Sequence, residues 1–184
     1  YFDNSSVSIL YGLDQSAIEP AAVYIAMSFT GQIGLPEVNT AGGYHEYRSQ
    51  YLSLGPIILQ IGLGQGQGSG RIKINSTSDV CALTVFNSGT SADDLPAIIW
   101  KGTSASNSLV HTGGSLGVAV FGADVATIAT VTKSGGDLLT GTGVTRSGAL
   151  TQSAGSWSIN SAIATSLTQT GGGTVINGTG AVAL

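Results

Sequence analysis

Charge is what this chain has least of. Only 9% of its 184 residues are Asp, Glu, Lys or Arg, where a soluble domain typically carries about 25%. The six basic residues stand singly in a chain of net charge −4, which argues against a nucleic-acid surface. Long apolar runs are missing too. The longest candidate, "PAAVYIAMSF" (20–29), stops at Thr30-Gly31, well short of the roughly 20 residues a membrane helix requires. The single cysteine, Cys81, has no partner for an internal disulfide and is expected as a small buried apolar residue. Helix signals are nearly absent: "DQSAIEPAAVYIAM" (14–27) is interrupted by Pro20. No signal-peptide pattern is visible.

What is present is apolar and glycine-rich. Hydrophobic residues make up 42% of the chain, beside 28 glycines and abundant Ser and Thr. Plentiful Ile, Leu and Val exclude disorder. The composition fits one all-β domain whose surface is wetted by hydroxyls instead of charges. Runs rich in Val, Ile, Thr and aromatics, broken by Gly, Ser, Asn and Asp, predict strands. They fall at 7–10, 22–29, 47–54, 57–62, 71–75, 80–87, 97–101, 117–121 and 126–132.

The strongest pattern is an internal repeat. "LTQSAGSWSIN" (150–160) aligns with "LTQTGGGTVIN" (167–177) at a constant offset of 17. "VTKSGG" (131–136) precedes Leu150–Gly155 by 19, and the His-Thr-Gly-Gly of "LVHTGG" (109–114) precedes Lys-Ser-Gly-Gly by 22. "LTVFNSG" (83–89) reads as a looser, earlier copy. Strands, glycine turns and no helix at such a period predict a parallel β-solenoid, one coil per repeat. Leu150 over Leu167 and Ile159 over Ile176 become core ladders, and Asn160 over Asn177 an amide ladder. The Gly pairs at 113–114, 135–136 and 171–172 supply the corners. A β-sandwich of hairpins is the alternative, but it does not require a fixed-offset repeat.

The first 70 residues differ in texture and are read as an N-terminal β-rich anchoring region (1–70) preceding the solenoid (71–184). "GGYHEYRSQYLSLG" (42–55) gathers Tyr44, His45, Tyr47, Arg48 and Tyr51, residue types that anchor interfaces. "IGLGQGQGSGRIKIN" (61–75) places glycine at every second position from Gly62 to Gly70. It lacks the Gly-Lys-Ser/Thr of a phosphate loop, and no register satisfies G-x-G-x-x-G. Its period of two is that of a strand, so Gly64, Gly66 and Gly68 are expected to form a bare face for close backbone approach. Packing against sister copies near a symmetry axis is the form that approach is expected to take. The last coil, "VINGTGAVAL" (175–184), has no polar cap, so further chain or another subunit is expected to cover it. A trimer packed on flat faces meets that need.

No catalytic, cofactor or metal residues emerge. "HEY" at 45–47 lacks the second histidine of H-E-x-x-H, since Ser49 stands there. Asp93-Asp94 could supply half of a glycosidase pair, yet adjacent acids before Pro96 more often form a solvated turn. Asp124 and Asp137 are isolated in sequence. His111 has no nucleophile motif beside it, and G-x-S-x-G is absent. The sequons at Asn4, Asn75 and Asn177 are expected by chance in so Ser/Thr-rich a chain.

Five segments carry a resemblance: "SVSILYGLDQS" (6–16), "GQIGLPEVN" (31–39), "GSGRIKIN" (68–75), "PAIIWKG" (96–102) and "GVAVFG" (117–122). They resemble a family of tailed-bacteriophage and prophage proteins that join such an N-terminal region to C-terminal Thr/Val/Gly repeats. The resemblance implies a structural virion protein on a capsid surface or fibre, not an enzyme. Its partners would be its own copies in a homotrimer and the major capsid protein or another virion protein, with no nucleic acid or membrane. Having only two clear regular repeats, the chain fits a compact capsid decoration or head-fibre protein better than a long fibre. The alternative is a tailspike-like β-helix that binds or cleaves bacterial surface polysaccharide. Such an enzyme needs carboxylates from neighbouring coils in one groove.

Overall fold

The computed structural model describes residues 1–6, 8–9, 13–34, 38–39, 44–45, 51–66, 71–89, 95–161 and 166–178. Among these there are strands, turns and no helix. In chain order the strands are β1 (Ala22–Ala26), β2 (Val38–Asn39), β3 (Tyr44–His45), β4 (Leu52–Ser53), β5 (Ile58–Leu63) and β6 (Ile72–Asn75). Then come β7 (Ala82–Val85), β8 (Ile98–Lys101), β9 (Ser108–His111), β10 (Ser115–Val118), β11 (Ala126–Ile128) and β12 (Thr130–Lys133). Last are β13 (Asp137–Thr140), β14 (Val144–Arg146), β15 (Leu150–Gln152), β16 (Ser156–Ile159), β17 (Leu167–Gln169) and β18 (Gly173–Ile176).

Two seven-stranded sheets face each other. The first is ordered β1-β5-β7-β9-β12-β15-β17 and the second β4-β6-β8-β10-β13-β16-β18. The chain alternates between them, and neighbours within each sheet run parallel. That is a β-solenoid. A hairpin sandwich would pair its strands antiparallel, and among the described strands only the short β2–β3 pair does so. The two sheets draw on both sides of the expected boundary, because β1, β4 and β5 belong to the same sheets as the later strands.

The ladders follow the repeat read in the sequence. Leu150 pairs with Leu167 in the core, and Ile159 pairs with Ile176, although Ile176 is exposed and does not extend the core ladder. Val131 pairs with Leu150, Leu109 with Val131, and Leu83 with Leu109. Asn177 Nδ2 donates to Asn160 Oδ1 at 3.0 Å, so the amide ladder forms as well. Second glycines of the corner pairs have left-handed backbones, with φ of 76°, 64° and 83° at Gly114, Gly136 and Gly172. A side chain there would cost strain and strike the coil beneath.

Stretch 126–132 was expected as one strand but forms two. Ala126 and Ile128 point into the core, as do Val131 and Lys133. The inward parity changes between Ile128 and Val131, so the chain must turn a corner near Ala129. The strand expected over 117–121 starts earlier: β10 covers Ser115–Val118, and Ala119 follows with a left-handed φ of 47°.

Inside, the first sheet contributes two columns. Val23, Leu59, Leu83, Leu109, Val131, Leu150 and Leu167 stack in register as an unbroken aliphatic ladder. The second column begins Ile25, Ile61, Val85 and continues His111, Lys133 and Gln152, ending at Gln169, which is exposed on the last strand of the sheet. Trp100 and Trp157 from the second sheet fill the space opposite, each 1% exposed. Cys81 is buried as expected, and burial raises its thiol pKa.

Candidate functional site

The polar half of the second inward column has a local cause. Each of its residues opens a tight turn: His-Thr-Gly-Gly, Lys-Ser-Gly-Gly, Gln-Ser-Ala-Gly and Gln-Thr-Gly-Gly. So tight a corner aims backbone carbonyls inward, where water is absent, and buried carbonyls need donors. Lys133 Nζ donates to the carbonyls of Gly135 and, at 2.6 Å, Gly136. Gln152 Nε2 donates to Gly155 O at 3.0 Å and Gly173 O at 3.1 Å, and at the exposed last corner Gln169 Nε2 makes the corresponding bond to Gly172 O at 2.8 Å. His111 is the exception. It is fully buried and neither ring nitrogen has a hydrogen-bond partner. Burial first, and the Lys133 ammonium second, push its pKa down to about 4. Burial also lowers Lys133 to about 8, against the opposing pull of Asp137.

A second cluster lies on the outer face of the second sheet. Tyr51, just before β4, donates its hydroxyl to Asp124 Oδ2. Lys101 Nζ, at the end of β8, donates to Asp124 Oδ1 at 2.7 Å and stands 4.2 Å from the Tyr51 ring centre. Phe121 meets Tyr51 edge-on at 6.4 Å, and Lys73 Nζ lies 4.8 Å from the Phe121 ring centre. The 119–124 turn thus folds over β4, β6 and β8 and buries their outer residues. Down the outward column, Lys73 and Ile99 are 1% and 0% exposed, whereas Val175 is 60% exposed. A groove of about 550 Å³ runs along the uncovered strands, lined by Ser115, Asp137, Leu139, Ser156, Ser158 and Val175 among others. Asp137 accepts a 2.5 Å hydrogen bond from Ser156 Oγ there.

Of the residues expected to form an interface, Tyr51 belongs to this cluster and is buried. Tyr44 and His45 form β3. Tyr47, Arg48 and Gly68 lie outside the described residues, as do Asp93 and Asp94. Gly64 has open space around it, with φ of 95°. The glycine run does not continue the strand as its period suggested: β5 ends at Leu63, and Gly62, Gly64 and Gly66 all have positive φ. Close backbone approach is nonetheless what Gly62 and Gly66 provide. A Cβ on Gly62 would overlap the backbone of Asn87, and one on Gly66 that of Met27. Both contacts are to this same chain.

Sequence reasoning missed Lys101, Asp124 and Phe121 as partners of Tyr51, because 73 residues separate Tyr51 from Asp124 and no local motif links them. The donors Lys133, Gln152 and Gln169 share one position of the repeat with His111, a position that Val85 fills in the earliest copy.

Among the described residues no group of three or more His, Cys, Asp or Glu is placed to hold a metal, and no helix is long and apolar enough to cross a membrane. No protein-family model, curated protein or solved structure matches this chain.

Proposed function

We propose that the chain is a structural virion protein of a tailed bacteriophage, a homotrimeric capsid decoration or head-fibre protein. One observation carries this reading: the outward face of the first sheet has no charge along its central column. Tyr24, Gln60, Thr84, Val110, Thr132, Thr151 and Thr168 stack there in register through all seven strands. Tyr24, Ile58 and Val110 expose large apolar groups on it. A flat, uncharged face can meet a second copy without desolvating an unpaired charge. The sequence resemblance supplies the virion context. Mass spectrometry of purified phage particles tests it: the chain should be present at many copies per particle, and its absence overturns the reading.

The groove on the second sheet favours a second reading, a surface that holds bacterial polysaccharide. Hydroxyls of Ser115, Ser156 and Ser158 with the Asp137 carboxylate suit sugar hydroxyls. Asp137 is the one carboxylate lining it among the described residues, while Asp124 is engaged by Lys101 and Tyr51. Glycoside cleavage usually takes two acids, so this reading is binding without hydrolysis. A glycan array with wild type and Asp137→Ala discriminates it.

A further inference from the structure

The N-terminal end of the solenoid holds an apolar cavity of about 180 Å³. Its walls come from both sheets, with Val23 and Ile25 from β1, Leu52 from β4 and Ile74 from β6. The reason for the space is visible in the columns. Ile74 pairs with Trp100 on one side and with Leu52 on the other. The indole fills the interior at its own coil, while Ile74 and Leu52 are smaller and leave the next level open. The coil from Ala22 to its partner Ile58 is also long, 36 residues against 17 from Leu150 to Leu167.

The mouth is built by the turn at residues 14–18, tied to β4 by Gln15 N to Ser53 O at 2.8 Å and by Ser53 N to Leu13 O at 2.8 Å. Ile18 on this turn is 54% exposed and lines the cavity, so the space is reachable from solvent. Among the described residues, Gln15 is the one polar residue of the lining. Its Nε2 donates to Asp14 O at 3.0 Å, which leaves the amide Oε1 as an acceptor at the rim. Asp14, the adjacent residue, keeps an ionised carboxylate because Ser16 donates to it. That carboxylate is exposed and outside the lining, so the rim itself offers a neutral acceptor.

We propose that this cavity binds a small hydrocarbon chain ending in a neutral hydrogen-bond donor, a medium-chain alcohol of about six carbons. An apolar cavity of about 150 Å³ stays dry and accepts a six-carbon ring, so the volume here suits that size. The acceptor Oε1 of Gln15 receives the hydroxyl. A carboxylate head at pH 7 has no proton to donate to that acceptor, which separates an alcohol from a fatty acid of equal length. This inference is independent of the virion reading.

The test is a titration of the full chain at pH 7 with 1-hexanol and with hexanoate, followed by the methyl NMR signals of Ile25, Ile33 and Ile74. Hexanol should give saturable shifts at these three methyls, and hexanoate should bind at least tenfold more weakly. Ile74→Trp extends the Trp100 column into the space and should abolish the shifts. Val23→Phe does the same from the opposite wall and serves if Ile74→Trp does not fold. Absence of saturable shifts in the wild type, hexanoate binding equal to hexanol, or hexanol binding retained in a folded filled variant would each overturn the proposal.

Discussion

His111 and Lys133 are in-register neighbours on β9 and β12, both sealed inside the solenoid, and only Lys133 has hydrogen-bond partners for its polar group. A neutral imidazole tolerates this position, whereas an imidazolium would be desolvated and would face the ammonium, and the nearby Gly113 and Gly114 backbone and Asp137 offset only part of that cost. Val85, on the other side of His111, offers only apolar contact. Among the described residues, Asp137 is the one carboxylate that draws on the pair.

Acid should therefore loosen this protein before its carboxylates titrate. The His111 pKa is about 4 in the folded chain against 6.5 when exposed. Between those values the unfolded chain binds the extra proton, so stability rises with pH. The contribution is complete above about pH 6.5 and is lost as pH falls toward 4; it amounts to roughly 3 kcal/mol for a shift of this size. Urea melts at pH 4.5 and 7 should show it. His111→Gln, which stays neutral and continues the column of Gln152 and Gln169, should flatten the dependence. An unchanged slope would place the acid sensitivity elsewhere.

Lys133 holds two corner carbonyls, and the next coil does the same work with Gln152. Lys133→Gln should then fold with stability within about 1 kcal/mol of wild type. Lys133→Met leaves buried carbonyls without a donor and should cost about 1–3 kcal/mol. The glutamine variant also removes the charge that helps hold the His111 pKa down, so that pKa should rise toward 6.5 and the stability lost in acid should shrink. Equal stability of the Met and Gln variants would show that the corner carbonyls need no donor.

The repeat is where the sequence was most legible, because a parallel solenoid converts a constant offset directly into hydrogen-bond register. Leu150, Leu167, Ile159 and Ile176 could be paired on paper for that reason. The corner donors were legible as a recurring polar position, but their role was not, since it depends on carbonyls turned inward by the glycines. The covering turn was illegible: Phe121 and Asp124 reach Tyr51 only through the stacking of several coils. The glycine run misled for a related reason. Alternation suggests an extended strand, yet glycine also permits positive φ, and only the neighbouring coil decides which one is used.

Gly62 makes that choice testable. Its φ of 83° and its contact with the Asn87 backbone leave no room for a side chain. Gly62→Ala should destabilise the fold by about 2 kcal/mol or more, through strain and displacement of β5 from the chain after β7. Gly64→Ala meets no neighbour and should cost only the strain of its φ, about 1 kcal/mol. Thermal melts of the two variants compare these costs directly, and equal losses would argue against a packing role for Gly62.

Asp124 joins the covering turn to the second sheet. Asp124→Ala leaves the Tyr51 hydroxyl and the Lys101 ammonium without their shared acceptor. Lys101 is partly exposed and can recover water, so the loss should fall near 2–3 kcal/mol, below that of a fully sealed pair. Tyr51→Phe removes one hydrogen bond and should cost about 1 kcal/mol. In hydrogen exchange the Asp124 variant should expose amides of β6 and β8 selectively, leaving β15 and β17 protected. Uniform loss of protection would mean that the turn is not a separable cover.

The uncharged face of the first sheet can be separated from the fold by a single charge. Thr132 lies outward on β12 and is exposed, with Val110 and Thr151 as its neighbours in the column. Thr132→Arg adds no burden inside the solenoid, so the melting temperature of the isolated subunit fold should hold within a few degrees. In an assembly packed on this face, three arginines would be brought into a dry interface without counterions, a cost of several kcal/mol for each buried charge. Light scattering should accordingly find trimers for the wild type and monomers for Thr132→Arg at the same concentration. A variant that stays trimeric would move the interface off this sheet, and a monomeric wild type would remove the trimer from the proposal.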